Sequence, residues 1–502
     1  MKASPTVTTD PGQAVLLAAI CLAACVLPLS FTGGAVATPL LGQALEATPM
    51  QLAWVTNAFM LSFGSLLMAA GALADRFGRQ RLFLCGTGLF CLASLLIACS
   101  SSVVWIDCLR AVQGVAAAAS LASGTAALAQ AFDGAARTRA FGVLGTTFGV
   151  GLAVGPLAAG LLSEHWGWRA IFFANALIAG LSLVFAAGAL QESRGCSERR
   201  LDVAGLVLFS LVLTAFTSAL VLAPVRGWAS PWVMTALAAT AVCLPCFIVS
   251  QRRAAYPILP LGLFRYPRFV RVQLLPVGTC YCYIVLIVVL PIRLIGIEGA
   301  TASQAGALML SLSAPMLVVP LAAALLTRWV SPGLLCAAGF MLAAAGLFSL
   351  SRLNVQQSWP VVVALLVIGT GTALPWGLMD GLAVSLVPKA QAGMAAGIFN
   401  TSRVAGEGVA LAITTALLAA LLSHRLAHEL NTAAPPTQAL QITQFMVMGD
   451  LRHALEQAGA VPVHLLRTAY AQAFSTLLQL LAGFTTLTAL VVAGLSHSSA
   501  RP

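Results

Sequence analysis

The chain has 502 residues, of which 60% are hydrophobic and 8% charged, with a mean hydropathy of +0.95 and a formal net charge of +11. Soluble domains carry about 25% charged residues, and none of this size hides so much apolar surface. A soluble globular protein is excluded. The weak alternating pattern of a membrane β-barrel is absent too, which leaves an all-α polytopic membrane protein.

Apolar runs long enough to cross a bilayer, about 20 residues each, are predicted in chain order over 14–36, 51–74, 82–100, 103–131, 139–163, 168–190, 203–223, 231–250, 270–292, 302–326, 332–350, 359–386, 392–422 and 469–495. The amino terminus up to Gln13 is polar and carries only Lys2. The first run has no small-residue cleavage site after it, so it reads as an uncleaved first helix. Connections are short except 423–468, which is polar, contains Pro435-Pro436 and holds an amphipathic stretch near 437–458. With the amino terminus inside, 17 of the 26 Lys and Arg residues fall on the cytoplasmic side and 6 on the outer side. The positive-inside rule then predicts both termini in the cytoplasm, and accounts for the charge without a nucleic-acid partner.

Twelve cysteines are scattered, eleven in apolar runs and Cys196 in a loop. Cys243-x-x-Cys246 has redox-motif spacing but lies inside a predicted span, where cysteine serves as a small packing residue. There is no Gly-x-x-x-x-Gly-Lys-Ser/Thr for an ATPase, no His-Glu-x-x-His, no clustered metal ligands and no glycine-elbow serine. The chain is expected to be neither an enzyme nor a metal or cofactor binder.

The densest polar punctuation is Gly71-Ala72-Leu73-Ala74-Asp75-Arg76-Phe77-Gly78-Arg79, between the second and third runs. Its glycines allow a tight turn, Asp75 can cap or face a helix end, and its arginines can meet acids and helix carboxyl ends. A reduced counterpart, Thr327-Arg328-Trp329, follows the tenth run. The fifth run carries Gly145, Gly149, Gly151, Gly155 and Gly160, and the thirteenth Gly393, Gly397, Gly406 and Gly408. Both pairs are offset by eight helices. Two six-helix halves, within 1–190 and 269–502, separated by an inserted pair within 191–268, produce that offset. Parallel halves around a midplane site are a transporter architecture.

The turn from Gly71 to Arg79 resembles the motif of the major facilitator superfamily between helices 2 and 3, which in that family latches the inward side shut. Arg110-Ala111-Val112-Gln113-Gly114 is similar to the family's helix 4 motif, whose arginine supports proton coupling. Gly151-x-x-x-Gly155-Pro156-x-x-x-Gly160 resembles the helix 5 motif of its exporters, with Ala159 where a further glycine is usual. Trp166-Gly167-Trp168-Arg169-x-x-Phe172-Phe173-x-Asn175, Leu201-Asp202-x-x-Gly205, Pro257-x-x-Pro260-x-x-x-Phe264 and Asn400-x-x-Arg403-x-x-Gly406 resemble the fourteen-helix drug:proton antiporter branch. That branch commonly has an acid in helix 1; here Ser30 stands in its place.

An arginine inside a span costs about 2.5–3.5 kcal/mol on insertion scales, so Arg110 must meet a partner such as Asp107, face a wet cavity, or snorkel outward. Two acids remain well inside spans, Asp380 and Glu407. A buried carboxyl can load and release protons as access alternates. Helix 12 corresponds by repeat to helix 4, which lines the cavity in this family, so Asp380 is expected to serve coupling or substrate contact unless it lies at the helix edge. Glu407 follows Arg403 at i+4, a spacing that fits either a static ion pair or a proton relay.

The resemblance implies a proton-coupled exporter of small amphipathic compounds in a bacterial inner membrane, working by alternating access. Its partners would be a small-molecule substrate, protons and the lipid bilayer; the chain would act as a monomer, alone or beside periplasmic and outer-membrane efflux proteins. A dedicated metabolite or siderophore exporter, and a transport-dead receptor or assembly factor on the same fold, stand as alternatives.

Overall fold

The computed structural model describes residues 11–132, 134–190, 192, 202–255, 257, 259, 262, 265, 267–353, 358–385, 392–429, 436–459 and 461–494. Lys2, Cys196, Leu201, Pro260, Phe264 and Pro435 lie outside the described residues. Among the described residues there are 14 helices long and apolar enough to span a membrane. They are α1 (Gly12–Leu45), α2 (Pro49–Phe77), α3 (Arg79–Cys99), α4 (Val103–Ala131), α5 (Ala140–Trp166), α6 (Arg169–Ala189), α7 (Val203–Ala223), α8 (Pro231–Arg253), α9 (Phe269–Ile297), α10 (Ala302–Leu326), α11 (Pro332–Arg352), α12 (Trp359–Ala383), α13 (Ile398–Ala427) and α14 (Val463–Ala493). Helices dominate because lipid offers the backbone no hydrogen-bond partners, so each segment must satisfy itself.

In the first half, α1 packs on α5 and α6, α2 and α3 on α4, and α3 on α6; in the second, α11 packs on α12 and α14, α10 on α12, and α13 on α14. With little hydrophobic drive between helices in lipid, close approach depends on small residues. Gly86 lies against the Ser120 backbone and the Ala119 methyl, and an added Cβ on Gly371 would come 2.6 Å from the Gly339 carbonyl oxygen. α7 and α8 form a separate pair leaning through α7 on α2 and α13. Only 11% of the most apolar window of α8 is buried, against 94% for α9, so α8 lies at the rim and α9 in the centre.

The eightfold helix offset recurs in local detail. Thr48 and Thr301 open α2 and α10 with reciprocal caps. Thr48 N–H donates to Gln51 Oε1 at 2.9 Å and Thr301 N–H to Gln304 Oε1 at 3.0 Å, while each glutamine's own N–H returns to the threonine hydroxyl.

The long connection after α13 contains two short helices, Pro436–Val447 and Leu451–Ala458. They turn at Gly449, whose φ of +80° suits glycine. That corner packs on α9 so tightly that a side chain at Gly296 would strike Gly449. Asp450 is buried there, accepts from His453 N–H at 3.1 Å and pairs with His453 Nδ1 at 2.6 Å. On its other side Asp450 Oδ2 lies 3.8 Å from where a Gly42 Cβ on α1 would stand. The corner therefore touches both halves.

Candidate functional site

Three pieces of structure hold the residues that the sequence singles out. The first is the turn between α2 and α3. Arg79 Nη2 and Nε reach Asp75 Oδ1 at 2.8 and 3.2 Å, while Arg79 Nη1 donates to Gln130 Oε1 at 2.6 Å and the Ala126 carbonyl at 3.2 Å. The side chain thus closes the carboxyl end of α4, where a cation complements unpaired carbonyls and the helix dipole. Gly78 adopts φ +112° and Glu192 packs on it; Arg81 pairs with Glu192 at 3.2 Å. Arg76 is exposed and stacks on its neighbour Phe77 at 5.5 Å, and Gly71 has open space beside it. Apart from those with Glu192, just after α6, these contacts of the turn stay within the first half.

The second piece is α5, whose glycines serve two neighbours. Gly151 and Gly155 face α1: an added Cβ at Gly151 would come 2.5 Å from Pro28 Cγ, and one at Gly155 would strike Thr32. Gly160 and Pro156 face α10: a Cβ at Gly160 would strike the Ala302 carbonyl, and one at Gly306 would lie 2.7 Å from the Pro156 carbonyl oxygen. Beyond them Glu164 Oε2 accepts the Ser303 N–H at 3.2 Å, placing a carboxylate at the amino end of α10. Toward the opposite end, a Cβ on Gly149 would still lie 3.6 Å from the Met316 carbonyl, whereas Gly142 and Gly145 have open space beside them. The seam is tight at the Glu164 end and slack along α5 toward the Asp75 end.

The third piece is the charged interior. Arg110 is completely buried, so it does not snorkel. Its Nε donates to the Val55 carbonyl at 2.8 Å and its Nη1 to Ser30 Oγ at 2.8 Å and Gln113 Oε1 at 2.9 Å. Gln113 passes the chain to Ser94 Oγ at 2.7 Å, and the guanidinium lies 4.5 Å from the Phe59 ring centroid. Among the described residues no carboxylate comes within ion-pair distance of it. Asp107 is not its salt-bridge partner, and Asp107 Oδ1 is buried without a hydrogen bond. Ser30, where an acid was expected from the resemblance, is the residue that meets Arg110.

In the second half the ion pair of Arg403 runs between helices, not along α13. Arg403 Nη1 lies 3.8 Å from Asp380 Oδ2, and its guanidinium 5.6 Å from the Trp376 ring centroid. Asp380 is 58% exposed and Arg403 15%. α12 breaks after Trp376, at Gly377, which packs against Pro320 of α10, and helix resumes at Met379. The break presents Asp380 at the start of a new turn. On the facing helix, α9 widens into a π-turn over Cys280–Ile284, a distortion frequent at functional sites. It lays Cys280 Sγ 3.9 Å from the Arg403 carbonyl and sends Tyr283 to Ser313 Oγ at 2.9 Å and to Trp376 at 6.2 Å between rings. Glu407 stands one turn beyond Arg403, within its electrostatic reach.

Trp376, Tyr283, Glu164 and the Asp450 corner escape sequence reasoning, because uncharged aromatics and end-of-helix acids look like ordinary span residues. The cysteines of the spans are all free thiols, Cys243 and Cys246 included, and among the described residues no group of His, Cys, Asp and Glu is placed to hold a metal.

Comparison with known proteins fits this architecture. The family model of the Major Facilitator Superfamily matches residues 20–411. The chain is 30% identical over 414 residues to the multidrug resistance protein Stp of Mycobacterium tuberculosis, covering 82% of this chain and 77% of that protein. It is 29% identical over 406 residues to the tetracenomycin C resistance and export protein of Streptomyces glaucescens, covering 80% and 75%. Among solved structures, an inward-facing, unoccupied bacterial homolog of the human lysosomal transporter Spinster superposes with a TM-score of 0.67 at 12% identity, covering 98% of each chain. That likeness concerns the fold.

Proposed function

Because this chain belongs to the Major Facilitator Superfamily, and so is a multi-pass membrane transporter and not an enzyme, we propose that it exports small amphipathic compounds from bacteria in exchange for protons. The observation that carries this reading is the seam: shut at the Glu164 end, slack toward the Asp75 end, with Asp380, Arg403 and Glu407 on the second half. In the proposed cycle the Asp75 end faces the cytoplasm, as do both termini, and the protein sits in the inner membrane as a monomer. Cargo enters from the cytoplasm, and the halves 1–190 and 269–502 rock about the midplane.

In that cycle the α5 to α10 contact at Gly160, Gly306 and Glu164 breaks as the outer side opens. The turn from Gly71 to Arg79 then docks on the second half. The proton rides on Glu407. A carboxyl taken into lipid is tolerated as a neutral acid or beside a cation, and Arg403 is the cation one turn away. Asp380, exposed and already facing Arg403, offers that cation a second partner. Arg110, caged by neutral groups, holds α1, α2 and α4 together and stays out of proton traffic.

Relatives named for resistance to, or export of, particular compounds favour a second reading, the export of one dedicated metabolite. Both readings meet one test. The protein is reconstituted in liposomes and substrate-induced proton movement is compared between wild type, Asp380→Asn and Glu407→Gln. Glu407→Gln is expected to abolish proton movement and Asp380→Asn to reduce it; unchanged coupling in both overturns the assignment. A response to many unrelated drugs supports general efflux, and a response to a single compound supports the dedicated exporter.

A further inference from the structure

We infer that a cavity at the Pro49 end of the seam between α2 and α13 is a binding site for an uncharged small molecule with an apolar body and one hydroxyl, which donates to Asn57 Oδ1. The site is separate from Asp380 and Arg403, and it does not depend on what the protein exports.

The cavity holds about 390 Å³ of empty space, toward the small end of ligand pockets. Four elements enclose it: Ala53 and Asn57 of α2, Leu220 and Val221 of α7, Ala412 of α13, and Met448, just after the short helix Pro436–Val447. Its floor is the tight part of the seam. An added Cβ on Gly64 would come 2.9 Å from the Ala405 Cα, and one on Gly408 would come 3.4 Å from Met60 Cβ. Past that contact the cavity opens between the two helices, and α7, which packs on both, walls the gap. Ala412 stands nine residues beyond Arg403, roughly 13 Å along the helix, with the Gly408 contact between them.

The chemistry of the wall selects the guest. Among the described residues no charged side chain lines the cavity, so an ion would enter without a counter-charge, at high cost. Asn57 is 4% exposed, and its Nδ2 donates to the Ala53 carbonyl at 2.9 Å. Its Oδ1 is buried with no hydrogen-bond partner, an uncommon state for a buried polar atom. The other polar residues of the wall are engaged. Thr415 donates to the Leu411 carbonyl at 2.9 Å, and Gln444 has a partner of its own. A buried water is held by two to four polar groups, whereas Asn57 alone leaves a buried polar atom unpaired on this wall. A hydroxyl on an apolar body satisfies that oxygen and meets the remaining apolar surface at the same time. Such a guest touches α2 of the first half, α13 of the second and α7 of the inserted pair, so its binding is linked to their staying together.

The test uses purified full-length protein in phosphatidylcholine nanodiscs and two photoreactive probes, a diazirine-bearing decanol and its methyl ether. The two share chain and label, but the ether has no hydrogen to donate. Label is located by mass spectrometry, with the exposed face of α14 at Leu480 and Leu487 as the measure of lipid background. In wild type the alcohol is expected to label the cavity wall about fivefold more than the ether does, the factor one net hydrogen bond supplies. It should also raise the melting temperature. Asn57→Leu keeps the volume and removes the acceptor, so alcohol labelling should fall to the level of the ether and the thermal shift should vanish. Ala412→Phe fills the cavity and should reduce labelling by both probes to background. Melting temperature and elution volume without probe establish that each variant is folded; should Ala412→Phe fail to fold, Asn57→Leu decides the matter.

Labelling of the cavity wall no stronger than that of α14 overturns the inference, as it would if the space takes only water. Equal labelling by alcohol and ether in wild type overturns it too. So does a folded Asn57→Leu protein that the alcohol labels and stabilises as it does wild type. Export in liposomes is a separate measurement: its absence overturns the exporter reading and leaves this site standing.

Discussion

Ser30 Oγ accepts a hydrogen bond from Arg110 Nη1 at 2.8 Å, and both residues are fully buried between α1 and α4. The arginine is thereby held in the membrane by hydroxyl, amide and backbone oxygens and an aromatic face, with no counter-charge in contact. One of its amino groups, Nη2, presses toward Gly34 without any partner.

Loss of the hydroxyl is expected to be costly. Ser30→Ala should destabilise the protein by about 1.5–3 kcal/mol, the value of a hydrogen bond to a charged group, seen as a lower melting temperature in detergent. Ser30→Asp should raise that temperature at neutral pH. The gain should vanish on acidification, because the introduced carboxylate stabilises only while ionised. A melting temperature for Ser30→Asp that is independent of pH would contradict this account.

The seam predicts a different failure. Valine at Gly160 or Gly306 meets backbone from the opposite half, and such overpacking costs about 1–3 kcal/mol. The cost falls on the closed arrangement alone, so the population should move toward opening at the Glu164 end. Gly160→Val is expected to reach the membrane in normal amount, to export poorly, and to expose a cysteine placed at Ser303 to impermeant reagents. Unaltered labelling would refute the assignment of this contact to the outer closure.

Arg79 addresses three acceptors with one planar fork. Lysine is a point donor on a flexible stem and cannot hold the same set. Arg79→Lys is expected to retain charge and topology yet export more slowly than wild type, with Asp75→Asn milder, because the bonds to Ala126 and Gln130 survive it. Equal export by Arg79→Lys and wild type would show that charge alone suffices at this turn.

Gly449 combines a φ of +80° with contact to Ile292 and Gly296. A β-branched residue is strained in that region, by about 1–2 kcal/mol, and has no room there. Gly449→Val is expected to lift the short helices off α9, increasing protease cleavage between 436 and 458 while leaving the fourteen spans intact. Resistance to cleavage equal to wild type would refute the docked corner.

The span count was legible because each run of apolar residues is bounded by punctuation as plain as Asp75 or Pro231. Charges were legible as positions of interest, since an arginine or acid in lipid needs a reason. Their partners were not. Arg403 and Glu407 share a helix face, yet Arg403 turns to Asp380 because the break at Gly377 brings a carboxylate from another helix. Arg110 and Asp107 are neighbours in sequence, yet Arg110 points across to α1 and α2. Spacing along one helix describes which residues share a face; which helix that face meets is decided by packing, through glycines such as Gly64, which meets Ala405, and Gly377, which meets Pro320, far along the chain. Trp376 was invisible as a functional part for the same reason, and the amphipathic stretch near 437–458 was legible as a stretch while its docking on α9 was not.

The corner at Gly449 rests on Gly296 of the second half and approaches Gly42 of the first, while Arg452 and Glu456 beside it point outward with side chains 74% and 55% exposed. In the proposed orientation this clasp lies on the outer surface of the cell. A large binding protein, such as an antibody fragment raised against that short loop, would then hold both halves together from outside. It would arrest export without entering the cell and without competing for the cargo site, a route to inhibition that a pump cannot defeat by expelling the inhibitor.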